Sequence, residues 1–422
     1  MAVLGETRDA LVGAVLVLVD AARLLVRHFP ALLTVFLLGL AVRNAVLWAA
    51  VLVGREHAVL ASLLMSLAPL AMVVALVVML RVAGGAMITH DGDRSVSRRV
   101  TILTSALVPF LAVYALTGEL ANDRDQFTNE SYADDFLNIG SAFTPEGLAP
   151  RSIVMAGNAA IVVVLVFLVI RLVIDLLDLE ERHPAWGLVQ VLVEVTWLTW
   201  LASFITVRWR DAKGWLESRA VLAWAEDAWR GATGGLGPLT DPVRALGGLV
   251  ADIYHRAGDV VVTPVAWLAV GAVVIVGSLP GSRRGHPELP VAARRVQDRL
   301  APGLRRLGSG RVGRKALELL GRRFEDLVDG VRVLLHAGVL PVLTFCLVLP
   351  VARLAEWGAA VALRAAIGPR DPDTMIYAST YLDIVTRAAY TLVVVVVVVA
   401  AVDRLLLRRS PAGQPVATSI ST

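Results

Sequence analysis

Apolar stretches close to 20 residues long recur along this chain, at about 29–53, 58–80, 100–118, 152–177, 185–206, 260–279, 332–354 and 386–403. A helix needs about 20 apolar residues to cross a hydrocarbon core of roughly 30 Å. The runs therefore predict an all-α integral membrane protein with about eight transmembrane helices. Composition points the same way: 57% of residues are hydrophobic and 18% are charged, where a soluble domain carries about 25% charged residues. A water-soluble fold of 422 residues has too little interior to hide that excess.

Arginine placement sets the expected orientation, because positive residues of short loops stay on the cytoplasmic side. Arg81, Arg94, Arg98 and Arg99 follow the second run, and Arg404, Arg408 and Arg409 follow the eighth. After the third run the sign reverses, with Glu119, Asp123, Asp125, Glu130, Asp134, Asp135 and Glu146 against Arg124. Residues 281–330 hold twelve basic and six acidic residues, whereas 207–259 hold seven of each. Together these predict both termini inside. Lys213 and Lys315 are the only lysines among forty basic residues, an arginine bias that suggests a GC-rich bacterial genome and hence a bacterial cytoplasmic membrane. No cleavable leader is read at the N-terminus, where Leu11–Val19 is short and ends in Asp20.

Three segments outside the runs are expected to lie along the membrane surface. Residues 1–28 read as an N-terminal amphipathic helix on the cytoplasmic face, with Arg8, Arg23 and Arg27 in reach of headgroups. The external insertion 207–259 is tryptophan-rich: Trp215, Leu222 and Trp229 share one helical face, and 209–230 could seat a protein partner. The basic insertion 281–330 reads as two amphipathic helices, about 290–307 and 314–330, on anionic lipid headgroups or a cytoplasmic partner.

Folding the runs as 1–4 onto 5–8 brings matching residues together. His28-Phe-Pro30-Ala31 faces His183-Pro184-Ala185; Pro69-Leu-Ala71 faces Pro264-Val-Ala266; Pro109-Phe-Leu111 faces Pro341-Val-Leu343. The segment before the fourth run, Tyr132-Ala-Asp-Asp-Phe-Leu-Asn-Ile139, resembles Tyr377-Ala-Ser-Thr-Tyr-Leu-Asp-Ile384 before the eighth. A parallel 4+4 tandem repeat follows, with repeats at 29–177 and 184–406 and a cytoplasmic tail at 407–422. Its pseudo-twofold axis would run along the membrane normal.

Within the runs, Arg43 and Glu194 are the ionisable residues expected deepest in the bilayer. An ion there costs about 2.5–3.5 kcal/mol on insertion scales and so normally faces a partner or a water-filled path. The repeat predicts that Arg43 and Glu194 pair with each other. Arg171 and Asp175, four residues apart, are expected to pair locally. Pro69, Pro109, Pro264 and Pro341 are candidate helix kinks, since proline removes a backbone hydrogen bond.

Other chemistry is not read in this chain. Cys346 is the one cysteine, which excludes an intrachain disulfide or a cysteine metal cluster. The histidines are dispersed, and no metal or cofactor is expected. Gly308-Ser-Gly310-Arg-Val-Gly313 matches the dinucleotide fingerprint by letter, but no buried strand precedes it. No nucleophile–base constellation is visible, so an enzyme is not expected, and the basic excess is explained by topology rather than nucleic acid. Two functions remain: a transporter or permease, or a non-catalytic scaffold or accessory subunit of an envelope or secretion assembly.

Overall fold

The computed structural model describes residues 2–88, 107, 110–111, 113–115, 117–137, 158–177, 185–217, 263–276, 345–346 and 348–407. Every element among the described residues is a helix. In chain order these are α1 (Ala2–Gly54), α2 (Ala58–Met65), α3 (Ala68–Ile88), α4 (Glu119–Leu137), α5 (Asn158–Leu176), α6 (Ala185–Glu217), α7 (Thr263–Val276), α8 (Pro350–Ile367) and α9 (Pro372–Leu407).

Four stretches among the described residues are long and apolar enough to cross a membrane: Val12–Gly54, Ala58–Gly85, Trp186–Arg208 and Pro372–Arg404. They correspond to the first, second, fifth and eighth apolar runs. A shorter apolar helix, Ala159–Ile174, falls in the fourth, and α7 falls in the sixth. Most of the third and seventh runs, the whole basic segment 281–330, Pro109 and Pro341 lie outside the described residues. The exposed apolar residues suit a protein solvated by lipid. Val162, Leu165, Val169 and Val173 recur along one face of α5 and are each about half exposed, a stripe that water would penalise.

The N-terminal expectation needs correction. Residues 1–28 do not form a separate surface helix; α1 runs unbroken from Ala2 to Gly54, through Pro30. At about 1.5 Å per residue it is roughly 80 Å long. Pro30 removes only the bond to the carbonyl four residues back, and no glycine or capping residue stops the helix nearby. The segment is also held by protein. Val17 and Ala21 are buried, and Asp20 pairs with Arg404 near the end of α9.

The core is built around α9. Val394 to Val402 are almost fully buried and pack with Leu32 and Phe36 of α1, Leu76 and Leu80 of α3, Val195 of α6, and Leu268 and Val274 of α7. Helices α1 and α3 lie close at Gly39, where a Cβ would sit 2.5 Å from the Ala75 Cβ. Helices α7 and α9 meet as closely at Gly271, where a Cβ would overlap the Val398 side chain. A second apolar cluster joins Leu47, Ala50 and Val51 of α1 to Met65, Phe127, Ala160 and Trp200.

Of the candidate kink prolines, the two among the described residues sit at helix starts. Pro69 is the second residue of α3 and Pro264 the second of α7, where the missing N–H has no intrahelical partner to lose. Pro69 nevertheless marks a break: the second apolar run is split at Ser66–Leu67 into α2 and α3.

Candidate functional site

The intramembrane ions predicted to pair with each other are both buried, and each has a different partner. Arg43 of α1 donates through Nε to Asp123 Oδ1 at 2.6 Å, and through Nη1 to Gln126 Oε1 at 3.0 Å and Asn44 Oδ1 at 2.9 Å. The Tyr114 hydroxyl donates to the other Asp123 oxygen at 2.7 Å. Glu194 of α6 instead accepts from Arg171 of α5, in a pair that is 6% and 0% exposed. Helix crossing explains the exchange. Helices α5 and α6 pack side by side, as do α1 and α4, so each arginine meets the carboxylate of its own neighbour. Arg171 thus has a partner that its own helix does not supply, Glu194 across the hairpin; the side chain of Asp175, the local partner expected for it, lies outside the described residues.

The acidic segment 119–137 is a helix whose acidic face is turned inward. Glu119, Asp123, Phe127, Ser131 and Asp134 recur every three or four residues, on one face. Glu119 accepts from Arg387 of α9 at 2.6 Å. Asp134 holds Arg55 in a two-point pair at 2.6 and 2.9 Å. Asp123 and Phe127 are 2% exposed. Helix α4 is thus fastened by these pairs to α1, to the turn that follows α1 and to α9. Burial pushes the Asp123 carboxyl above its ordinary range, while Arg43 and Tyr114 pull it back. That balance is what a buried ion pair implies: desolvation competes with attraction, and the pair fixes register more than it adds stability. Arg55 is exposed, and its hydrogen bonds to Asp134 raise its pKa.

The break in the second run carries a further polar cluster. Ser62 and Ser66 are fully buried, and Thr196 and Thr199 of α6 are 4% and 1% exposed. Ser66 Oγ lies 3.4 Å from Thr196 Oγ1, and Thr199 Oγ1 lies 3.4 Å from the Ser66 carbonyl oxygen. Gln190 and Glu194 of α6 are buried as well. The indole nitrogens of Trp197 and Trp200 are buried without a hydrogen-bond partner among the described residues. A hydroxyl inside an apolar run barely changes its hydropathy, so this cluster left almost no sequence signal. Asp123 left a clearer one, in the helical spacing of the acids around Phe127.

Among the described residues no group of three or more His, Cys, Asp or Glu side chains could hold a metal ion. Of the tryptophan segment, Trp209 and Trp215 continue α6, and the remainder lies outside the described residues. The two similar octapeptides fall in helices: Tyr132 and Phe136 end α4, whereas Tyr377 and Tyr381 lie inside α9, and all four are exposed. No protein-family model, no curated protein and no solved structure matches this chain.

Proposed function

We propose that this chain is a permease-like transporter of a cytoplasmic membrane, with eight spans, both termini inside and a parallel 4+4 repeat. The observation that carries the reading is the interrupted helix α2/α3, split at Ser66–Leu67 and faced by buried hydroxyls of α6. Transporter sites are often made by discontinuous helices, because unwound backbone supplies carbonyls where lipid supplies no hydrogen bonds. Buried ions at Arg43–Asp123 and Arg171–Glu194 add the costly intramembrane charge that such pathways use. The helix neighbours favour the repeat. Helix α1 packs on α9 and α5 packs on α6, so the first run meets the eighth and the fourth meets the fifth, the exchange that a twofold axis produces. No catalytic step and no cofactor belongs to this proposal.

A scaffold or accessory subunit is the second reading, favoured by the α8–α9 hairpin. Leu354, Trp357 and Val361 of α8 and Ile376, Tyr377 and Tyr381 of α9 are exposed, a surface able to take a protein partner. Purification in mild detergent followed by native mass spectrometry separates the two. Recovery as a monomer or homo-oligomer supports transport. A stoichiometric partner that is lost on deleting 209–230 or 290–330 supports the scaffold and sinks the transport reading.

A further inference from the structure

We propose that Ser66, Thr196 and Thr199 form a binding site for a monovalent cation of sodium size, at the break between α2 and α3. The inference rests on the transport reading only for its purpose; the site itself is argued from hydrogen-bond arithmetic. A hydroxyl has one hydrogen to donate and lone pairs to offer. The Ser66 hydroxyl already donates to the Leu63 carbonyl at 2.6 Å, and the Thr196 hydroxyl to the Leu192 carbonyl at 2.8 Å. Neither has a hydrogen left for the other, yet the two oxygens face each other at 3.4 Å. That separation exceeds the 2.7–2.8 Å typical of an O–H···O bond. Two buried oxygens presenting lone pairs to one another repel, unless something positive lies between them.

The Ser66 carbonyl adds a third oxygen, to which the Thr199 hydroxyl donates at 3.4 Å; a cation would turn that hydrogen away and take the Thr199 oxygen as a fourth. Two oxygens 3.4 Å apart, taken as neighbouring corners of an octahedron, leave a centre about 2.4 Å from each, within the range of roughly 2.3–2.6 Å at which hard cations of this size bind oxygen. One further fact selects a single positive charge. All four oxygens are neutral, and the buried carboxylate Glu194 is engaged by Arg171, so a divalent ion would bury twice the charge with no counter-ion.

The test is saturable binding of radioactive sodium to the purified full-length protein in detergent, beside thermal melts in sodium, potassium and choline chlorides at equal ionic strength. The expected result is about one sodium per chain and a Tm that climbs with the logarithm of sodium concentration but not with choline. Thr196→Val and Thr199→Val keep the shape and remove an oxygen; each should weaken binding about tenfold or more, while Thr196→Ser retains it. Melts in choline establish that the variants are folded. Binding at background, as a water in that position would give, overturns the site, and so does binding that all three variants preserve. Flux into vesicles is read separately: a protein that binds sodium and moves no solute keeps the site and loses the transport reading.

Discussion

Glu194 reaches Arg171 across the α5–α6 hairpin, 23 residues back along the chain, while Arg43 reaches 80 residues forward to Asp123. Two buried arginines are therefore each neutralised by a carboxylate on the helix packed beside them. This arrangement lets charge sit inside an apolar bundle without being desolvated alone, and it ties four helices into two fixed registers.

The pairing predicts a specific pattern of coupling. Removing Glu194 takes a buried carboxylate from Arg171, as removing Arg171 takes a buried guanidinium from Glu194, and each single change should cost about 3–5 kcal/mol. In a double-mutant cycle, Arg171→Met with Glu194→Leu should recover much of that loss. Arg43→Met with Glu194→Leu should be additive within about 0.5 kcal/mol. Thermal unfolding in detergent reads both, and strong Arg43–Glu194 coupling would refute the described pairing.

Helix α4 offers an internal comparison between a buried and an exposed ion pair. Arg43→Ala and Arg55→Ala each remove one of its fastenings, but Arg43 is 6% exposed and Arg55 is 46% exposed. Arg43→Ala should loosen the helix, raising the rate of proteolytic cleavage within 119–137. Arg55→Ala should leave that rate almost unchanged, since exposed pairs contribute about 0–1 kcal/mol. Equal sensitivity of the two variants would contradict the inward acidic face.

Close helix approach at Gly39 and Gly271 makes both positions intolerant of bulk. Gly271→Leu would drive a side chain into Val398, and Gly39→Leu one into Ala75. Overpacking of this kind typically costs about 1–3 kcal/mol. Both variants should melt lower than Gly358→Leu, where a side chain meets open space. A Gly358 variant that melts lowest would count against the α7–α9 contact.

The start of α9 is capped by Asp371, which accepts from the Thr374 amide at 3.0 Å and from its hydroxyl at 2.8 Å. These bonds favour the carboxylate and lower its pKa below the ordinary 3.8. A carboxylate lowered in the folded state contributes stability that is present above 3.8, and loses it as pH falls through the lowered value. Hydrogen exchange around 372–376 should accelerate in Asp371→Ala, and much less in Asp371→Asn, which still accepts at the cap. Indifference to both substitutions would show that α9 starts without this cap.

Local features of the sequence read well against the structure. The first, second, fifth and eighth apolar runs fall on the four helical stretches of membrane length among the described residues. The burial of Glu194 and Arg43 also follows from where they stand in those runs. Two features misled. Residues 1–28 read as a surface helix apart from the first run, yet the one proline at the join, Pro30, costs a single hydrogen bond and the helix continues. The acids after the third run count in the sequence only for the sign of their charge, and that count ignores the face on which each charge falls.

What the sequence determined by itself is the class of protein: helical, apolar, and carrying helices long enough to cross a membrane. That property is additive along the chain, residue by residue, and needs no knowledge of neighbours. Partner choice is not additive. Which carboxylate meets Arg43, which arginine meets Glu194, and which hydroxyls face the gap at Ser66 depend on how helices far apart in sequence cross. Those crossings are set by packing at contacts such as Gly39–Ala75 and Gly271–Val398, where one methyl group decides the distance between two backbones.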